Sequence, residues 1–329
     1  MFHKSISLLL TLTLAPQLWA QSIDRRQEDP IPATVETMYT RGLKLLASSQ
    51  AANGSWPDSS GTYPGVVGLA TLAFLAHGED PNHGPYAKNI QRTIDYLIES
   101  QRDDNGYIGT SMYNHGFATL ALAESYGAVE DPRIEKALNK AVELILSAQK
   151  RNPKGGWRYS PDSKDADTTI SGCQIVALLA ARNAGIPVPD SAIERALKYM
   201  SSCRDTTGAY GYTSRGGAKV TLTAIGSLCY SLAKMKDAKG YAKSLRYLTK
   251  NIEYRDTHYT YYFEYYMSQA LFQADEETWK LWNSQNIRLL SATQQQNGSW
   301  LGNRGPAYST ASALLSLALN YRYLPIYEK

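Results

Sequence analysis

Four side chains in this sequence stand where acid–base chemistry is possible. Asp165 and Asp167 lie two apart in DADTT, residues 165–169. Carboxyl groups held that close resist ionising together, and burial raises an acid's pKa further. An acid kept protonated near neutral pH can give its proton to a weak base such as an alkene. The plainer reading of the stretch is that Asp167 or Thr168 caps the following helix, accepting from its free first-turn N–H groups. His115, in MYNHGFATLALAESYG, opens an apolar segment and is either a proton carrier facing a cavity or a hydrogen-bonded packing residue. Glu264, in YTYYFEYYMSQALFQAD, is a carboxylate in a stretch that should be buried. A buried carboxylate is costly unless paired or protonated, so tyrosine hydroxyls satisfy it or it is functional. His115 and Glu264 make an acid–base pair only if both point into one cavity. Glu264 with Asp167 is the pair to nominate for glycoside chemistry, which needs two facing carboxylates.

Tyrosine supplies the second kind of candidate. The chain has 24 Tyr against 5 Phe, and much of the tyrosine falls in loops. Tyr63, Tyr113, Tyr159, Tyr210, Tyr212, Tyr261 and Tyr308 are the candidate ligand contacts, since aromatic walls with polar tips suit a hydrophobic or cationic guest. The competing reading is that they pack the centre of the fold. No metal or other cofactor is expected: His77, His83, His115 and His258 are scattered, and no convergent ligand set is spaced for zinc.

These residues must be placed by a repeating scaffold. QAANGSW (50–56) and QQQNGSW (294–300) nearly repeat each other. Related markers start at Gln101, Gln149 and Cys203, with a weaker unit near Asn251, giving six units of roughly fifty residues. Before each marker runs an amphipathic helical pattern, as in residues 34–50 and 131–149. After it comes a loop, then a segment apolar nearly all round and rich in Ala, Gly and Ser, such as TISGCQIVALLAARNAG. A helix without a polar face is buried on every side. Six helices of each kind predict an all-α (α/α)6 toroid, an outer ring shielding an inner one. In the markers, Gly permits a tight left-handed turn, the Gln amide satisfies backbone groups, and Trp covers the turn.

The first twenty residues read as a secretory signal peptide cut after Ala20, residues 21–33 as a linker and 34–329 as the toroid. The chain is therefore expected to be exported, to the periplasm or beyond, with no stable membrane span once the signal is removed. A net charge of +4 is too balanced to suggest nucleic acid as a partner; a hydrophobic small molecule or a protein is the expected one. Cys173, Cys203 and Cys229 allow one disulfide at most, and Cys173–Cys203 is the candidate pair, on neighbouring units of the ring.

QAANGSW, QKRNPKGGW and QQQNGSW resemble the QW-type repeats of the prenyltransferase and squalene-cyclase superfamily of α/α toroids. CQIVALLAARNAGIPVP, YYFEYYMSQALFQADEETWKLWN and YRYLPIY resemble its small exported single-toroid members with prenyltransferase/squalene-oxidase repeats. The resemblance implies the toroid fold and assigns no reaction. Asp165–Thr169 is similar to the D-x-D-D-T motif of squalene–hopene cyclases, which implies a protonating Asp and a terpene cyclase activity. Thr168 stands where the second adjacent Asp belongs, and Ala177–Leu178 follow at a spacing two residues off. Those cyclases place their cavity between two toroid-like domains, and this chain has one. A protein-prenyltransferase reading lacks the zinc ligands, and the contiguous Gly172, Cys173 and Gln174 lack the Glu of a complement-like thioester.

Overall fold

The computed structural model describes residues 30–57 and 61–328; the signal peptide and most of the linker lie outside them. Twelve α-helices run through the described residues, joined by loops and isolated bridges. Six form the outer ring: α1 Ala33–Ser49, α3 Ala87–Glu99, α5 Arg133–Arg151, α7 Asp190–Ser202, α9 Tyr241–Lys250 and α11 Glu276–Thr293. Six form the inner ring: α2 Pro64–Leu75, α4 Met112–Ser125, α6 Thr168–Asn183, α8 Val220–Leu232, α10 Thr260–Ala274 and α12 Pro306–Leu317. Each inner helix packs on the next and α12 returns to α2, while α11 packs on α1. Both rings are closed, and the fold is the (α/α)6 toroid.

Periodicity decides which ring a helix joins. In α3 only Ile90, Thr93, Ile94 and Leu97 are buried, a single stripe. In α6 every residue from Thr168 to Ala181 is buried. Small residues bring inner helices to backbone contact: a Cβ on Gly68 would sit 2.6 Å from the Phe117 carbonyl oxygen.

The markers do more than turn the chain. Gln50 Nε2 donates to Gly54 O (3.0 Å) and to Asn89 O (3.1 Å) in the next outer helix. Gln101 reaches Ala137 O, Gln149 reaches Ala192 O, and Gln294 reaches Met38 O at 2.9 Å, joining the last unit to the first. The indole N–H groups of Trp56, Trp157 and Trp300 donate to the preceding outer helix at Leu46, Ile145 and Leu290. Gly298, at φ 93°, is indispensable: a Cβ there would meet Arg41 O at 2.4 Å. The fifth unit lacks the marker, and Arg255 holds its loop instead, donating to Ile252 O, Tyr254 O and Gln285 Oε1.

The chain ends across the axis. After a short turn at Ala318–Asn320, a second at Pro325–Tyr327 packs against α6 at the C-terminal end of the inner ring. There the Ile326 N–H donates to Glu124 Oε2 (3.2 Å), and Gln273 Nε2 donates to Tyr327 O (3.2 Å). This strap closes the floor of the ring.

The three cysteines are free and buried, so the Cys173–Cys203 disulfide is not formed. Cys173 lies against Tyr262, Tyr265 and Tyr266 in the centre, whereas Cys203 caps the end of outer helix α7. Inner and outer rings hold the two sulfurs apart.

Candidate functional site

The N-termini of the inner helices gather at the end of the ring opposite the strap. The axial hole below them is filled. Helices α4 and α10 face each other across it: Tyr113 meets Tyr262 with ring centroids 6.5 Å apart, and Phe117 meets Tyr265 at 6.2 Å. Tyr266 packs on both Tyr262 and Tyr265, at 4.9 and 4.8 Å. Tyrosines therefore do both things the sequence allowed, packing the shaft and walling the mouth above it.

Asp167 stands at that mouth. Its backbone is extended at the N-cap of α6, where Oδ1 accepts from the Ile170 N–H (2.8 Å). The capping reading of Asp167 therefore holds, and the same side chain does more. Thr169 Oγ1 also donates to Oδ1 (2.6 Å), and Tyr113 OH donates to Thr169 Oγ1 (2.5 Å). Oδ2 is buried, makes no hydrogen bond of normal geometry, faces Tyr212 and lies 3.9 Å from Arg158 Nε. Burial pushes this carboxyl above the usual range, against the pull of Thr169, the Ile170 N–H, the Tyr212 hydroxyl and Arg158. Asp165, half a turn before the cap, goes the other way: the Ala166 N–H and the Arg158 guanidinium hold it below the usual range. Arg158 pairs with Asp165 and lies 5.6 Å from the Tyr159 ring centroid and 5.8 Å from that of Tyr212. The two tyrosine hydroxyls are hydrogen-bonded to each other at 2.5 Å. The two carboxyls are thus pushed in opposite directions, Asp165 toward ionisation and Asp167 toward holding its proton, the sense of separation that acid catalysis uses.

Of the expected site residues, the structure brings Asp165, Asp167, Tyr113, Tyr159 and Tyr212 together, with Tyr262 beside Tyr113. The Tyr262 hydroxyl is buried without a partner. Tyr261 and Tyr308 stand on the α10–α12 side of the rim, Tyr261 donating to Leu301 O (3.2 Å), with its phenol pushed by burial to about 12. Tyr63 precedes α2 at the first unit's entry to the ring. Tyr210 is elsewhere: fully buried in the wall, it packs under Gly226 with its hydroxyl on Arg204, the place a marker Trp takes in other units.

His115 and Glu264 also miss the mouth, and for one reason. Each sits about 200° round its helix, at about 100° per residue, from the tyrosine two positions earlier that faces the hole. His115 points at the outer ring, where Nδ1 accepts from the Ile108 N–H (3.1 Å) and Nε2 donates to Ala141 O (3.0 Å). Burial lowers its pKa to about 4, so the ring is neutral and both nitrogens are used. Ser171, Thr223 and Thr310 hold the corresponding loop N–H groups in other units, which makes His115 the second unit's version of a structural contact. Glu264 is fully buried on the outward face of α10, its oxygens without hydrogen bonds and its pKa raised by burial to about 8, with Arg255 the nearby cation. Neither a His115–Glu264 pair nor facing Glu264 and Asp167 carboxyls exists. Among the described residues no three His, Cys, Asp or Glu side chains come together as metal ligands, and no helix is long and apolar enough to cross a membrane.

A family profile, described as a domain of unknown function, DUF6288, matches residues 36–307. The chain belongs to this family. Beyond it, the DUF6288 chain is 20% identical over 248 residues to squalene–hopene cyclase of Zymomonas mobilis, 66% of this chain and 35% of that protein. It is 37% identical over 87 residues to a terpene cyclase/mutase of a Nectria species, covering 26% of this chain and 10% of that protein. It thus spans about a third or less of the curated relatives it matches. Among solved structures, the type II terpene cyclase MstE from Scytonema has a TM-score of 0.64 at 16% identity, covering 90% of this chain and 100% of that one. MstE is also solved with geranylgeranyl dihydroxybenzoate as substrate. The α-1,6-mannanase GH76A of a Salegentibacter species reaches 0.63 at 12% identity, covering 88% of this chain and 99% of that one. These likenesses establish the fold.

Proposed function

We propose that this protein is an exported toroid that binds a hydrophobic small molecule on the tyrosine-walled mouth. Tyr113, Tyr159, Tyr212 and Tyr262 supply aromatic surface for an apolar or cationic guest. The expected leader, residues 1–20, and the mouth belong to different parts of the chain, so binding is tested independently of export.

The second reading gives the mouth a reaction, and a specific observation favours it: Asp167 Oδ2 is buried and unbonded while Oδ1 carries the cap. In this reading the Oδ2 proton adds to one carbon of an alkene as the π electrons form the C–H bond. The cation left on the adjacent carbon is stabilised by the tyrosine faces, and Asp167 becomes a carboxylate that Arg158 can pair with. The cyclase relatives in sequence support this chemistry, and the Glu264 and Asp167 carboxyls nominated for glycoside hydrolysis do not face one site. The test is to incubate the purified protein with geranylgeraniol and with squalene, following binding by tyrosine and tryptophan fluorescence and products by gas chromatography–mass spectrometry. Binding that Tyr113→Ala weakens supports the first reading, and products absent from Asp167→Asn support the second. Binding without products leaves the toroid a carrier, and no binding of either probe overturns both readings.

A further inference from the structure

A second concave site lies where the ring closes. Between the first and sixth units the structure holds a half-enclosed cavity of about 170 Å³, off the axis. Its apolar wall is made by Leu45, Trp56, Pro57, Val66, Pro306 and Tyr308. The Trp56 ring is fixed by its N–H bond to Leu46 O, so this wall is rigid. Among the described residues lining it, Arg304 is the one charged side chain. Among the described residues Arg304 has no carboxylate partner; its guanidinium lies 6.0 Å from the Tyr259 ring centroid. Asn297 also lines the cavity, and its Oδ1 is occupied by Ser299, which leaves the amide N–H groups as donors.

We infer that this seam cavity binds a small amphipathic carboxylate with an aromatic or branched body. Apolar walls accept the body and expel water from it. An unpaired guanidinium at the rim matches a planar carboxylate through two parallel N–H donors, and the aromatic walls lower the local dielectric and strengthen that pair. The volume limits the body to about the size of one substituted ring. The other large concavity, about 490 Å³ at the outer junction of units two and three, lacks these properties: Asp103, Asp104, Glu143 and Asp162 line it beside Arg102, Lys140 and Arg151. The seam site uses none of the Asp167 groups, so this inference goes beyond the proposed function and does not rest on it.

The test titrates the full chain with 4-methylbenzoate and with 4-methylbenzyl alcohol, its neutral counterpart, by calorimetry and saturation-transfer NMR. The carboxylate should bind, and the alcohol at least tenfold more weakly. Losing the charged pair in Arg304→Gln, at an exposed residue, should weaken the carboxylate roughly tenfold or more and leave the alcohol unchanged. Val66→Phe, which fills the cavity, should abolish both; equal thermal melting of the Arg304 variant confirms its fold. No carboxylate binding, or binding indifferent to Arg304→Gln, overturns the inference. Geranylgeraniol binding is read in parallel, so a failed seam site and a failed mouth remain distinguishable.

Discussion

The two ends of the toroid axis each hold a buried carboxyl, and the contrast between them separates a reactive site from a structural one. At the mouth, Asp167 sits at a helix N-terminus, where Oδ1 is consumed by the cap and Oδ2 is left toward an opening lined with tyrosine. At the floor, Glu124 sits at the C-terminal end of α4, where the helix dipole opposes its charge, and the strap covers it through the Ile326 N–H. Burial raises both, Glu124 to about 8. A raised pKa alone therefore says little. Surroundings distinguish the two: Asp167 adjoins the tyrosines of the mouth, and Glu124 adjoins the strap.

Removing the strap breaks the contrast most forcefully. Deleting residues 325–329 exposes Glu124 and removes buried Ile326 and Tyr327, at a cost of about 3–5 kcal/mol by urea unfolding. Mouth binding should survive in the fraction that stays folded. Next, Asp167→Ala should lose both roles, destabilising by about 1 kcal/mol through the lost cap. Asp167→Asn keeps the cap acceptor and should melt near wild type, yet lose proton transfer by about a hundredfold or more. If both variants lose only stability, Asp167 is a cap and nothing else.

Proton linkage gives a third contrast. Glu124 and Glu264 titrate near 8 when folded against 4.5 when unfolded. Between those values the unfolded chain releases protons that the folded chain keeps, so stability is fullest below about pH 4.5 and declines as pH rises to about 8. Each carboxyl should contribute up to about 1.4 kcal/mol per pH unit to that decline. Glu124→Gln and Glu264→Gln should each flatten the profile measured by denaturant unfolding from pH 5 to 8. The smallest effect belongs to Tyr113→Phe, which removes one donor from the Thr169–Asp167 chain, costs about 1 kcal/mol or less, and shifts the pH profile of any mouth reaction.

The rings were legible because helix period and marker spacing are local signals. Asp167 as a cap was legible for the same reason. The directions of His115 and Glu264 were not: a helix buried on all sides has no polar face, so its sequence does not say which residue looks at the hole. One step of about 100° separates Tyr113 from its neighbour, and two put His115 against the outer ring. Tyr210 and Tyr212 pose the same problem in a loop, where no regular period says which side chain enters the wall and which the mouth. The strap's partner Glu124 lies 202 residues from Ile326, a contact only the folded chain reveals. Arg158, which sorts the two aspartates, carries no motif and was invisible beside them.

The most direct test of the account is the titration of Asp167 itself, read by carbon-13 NMR on aspartate-labelled protein with the Asp167→Asn and Asp165→Asn variants for assignment. The account predicts that Asp167 loses its proton above the usual aspartate range while Asp165 loses its own below it. A shared, ordinary titration of the two carboxyls would contradict it.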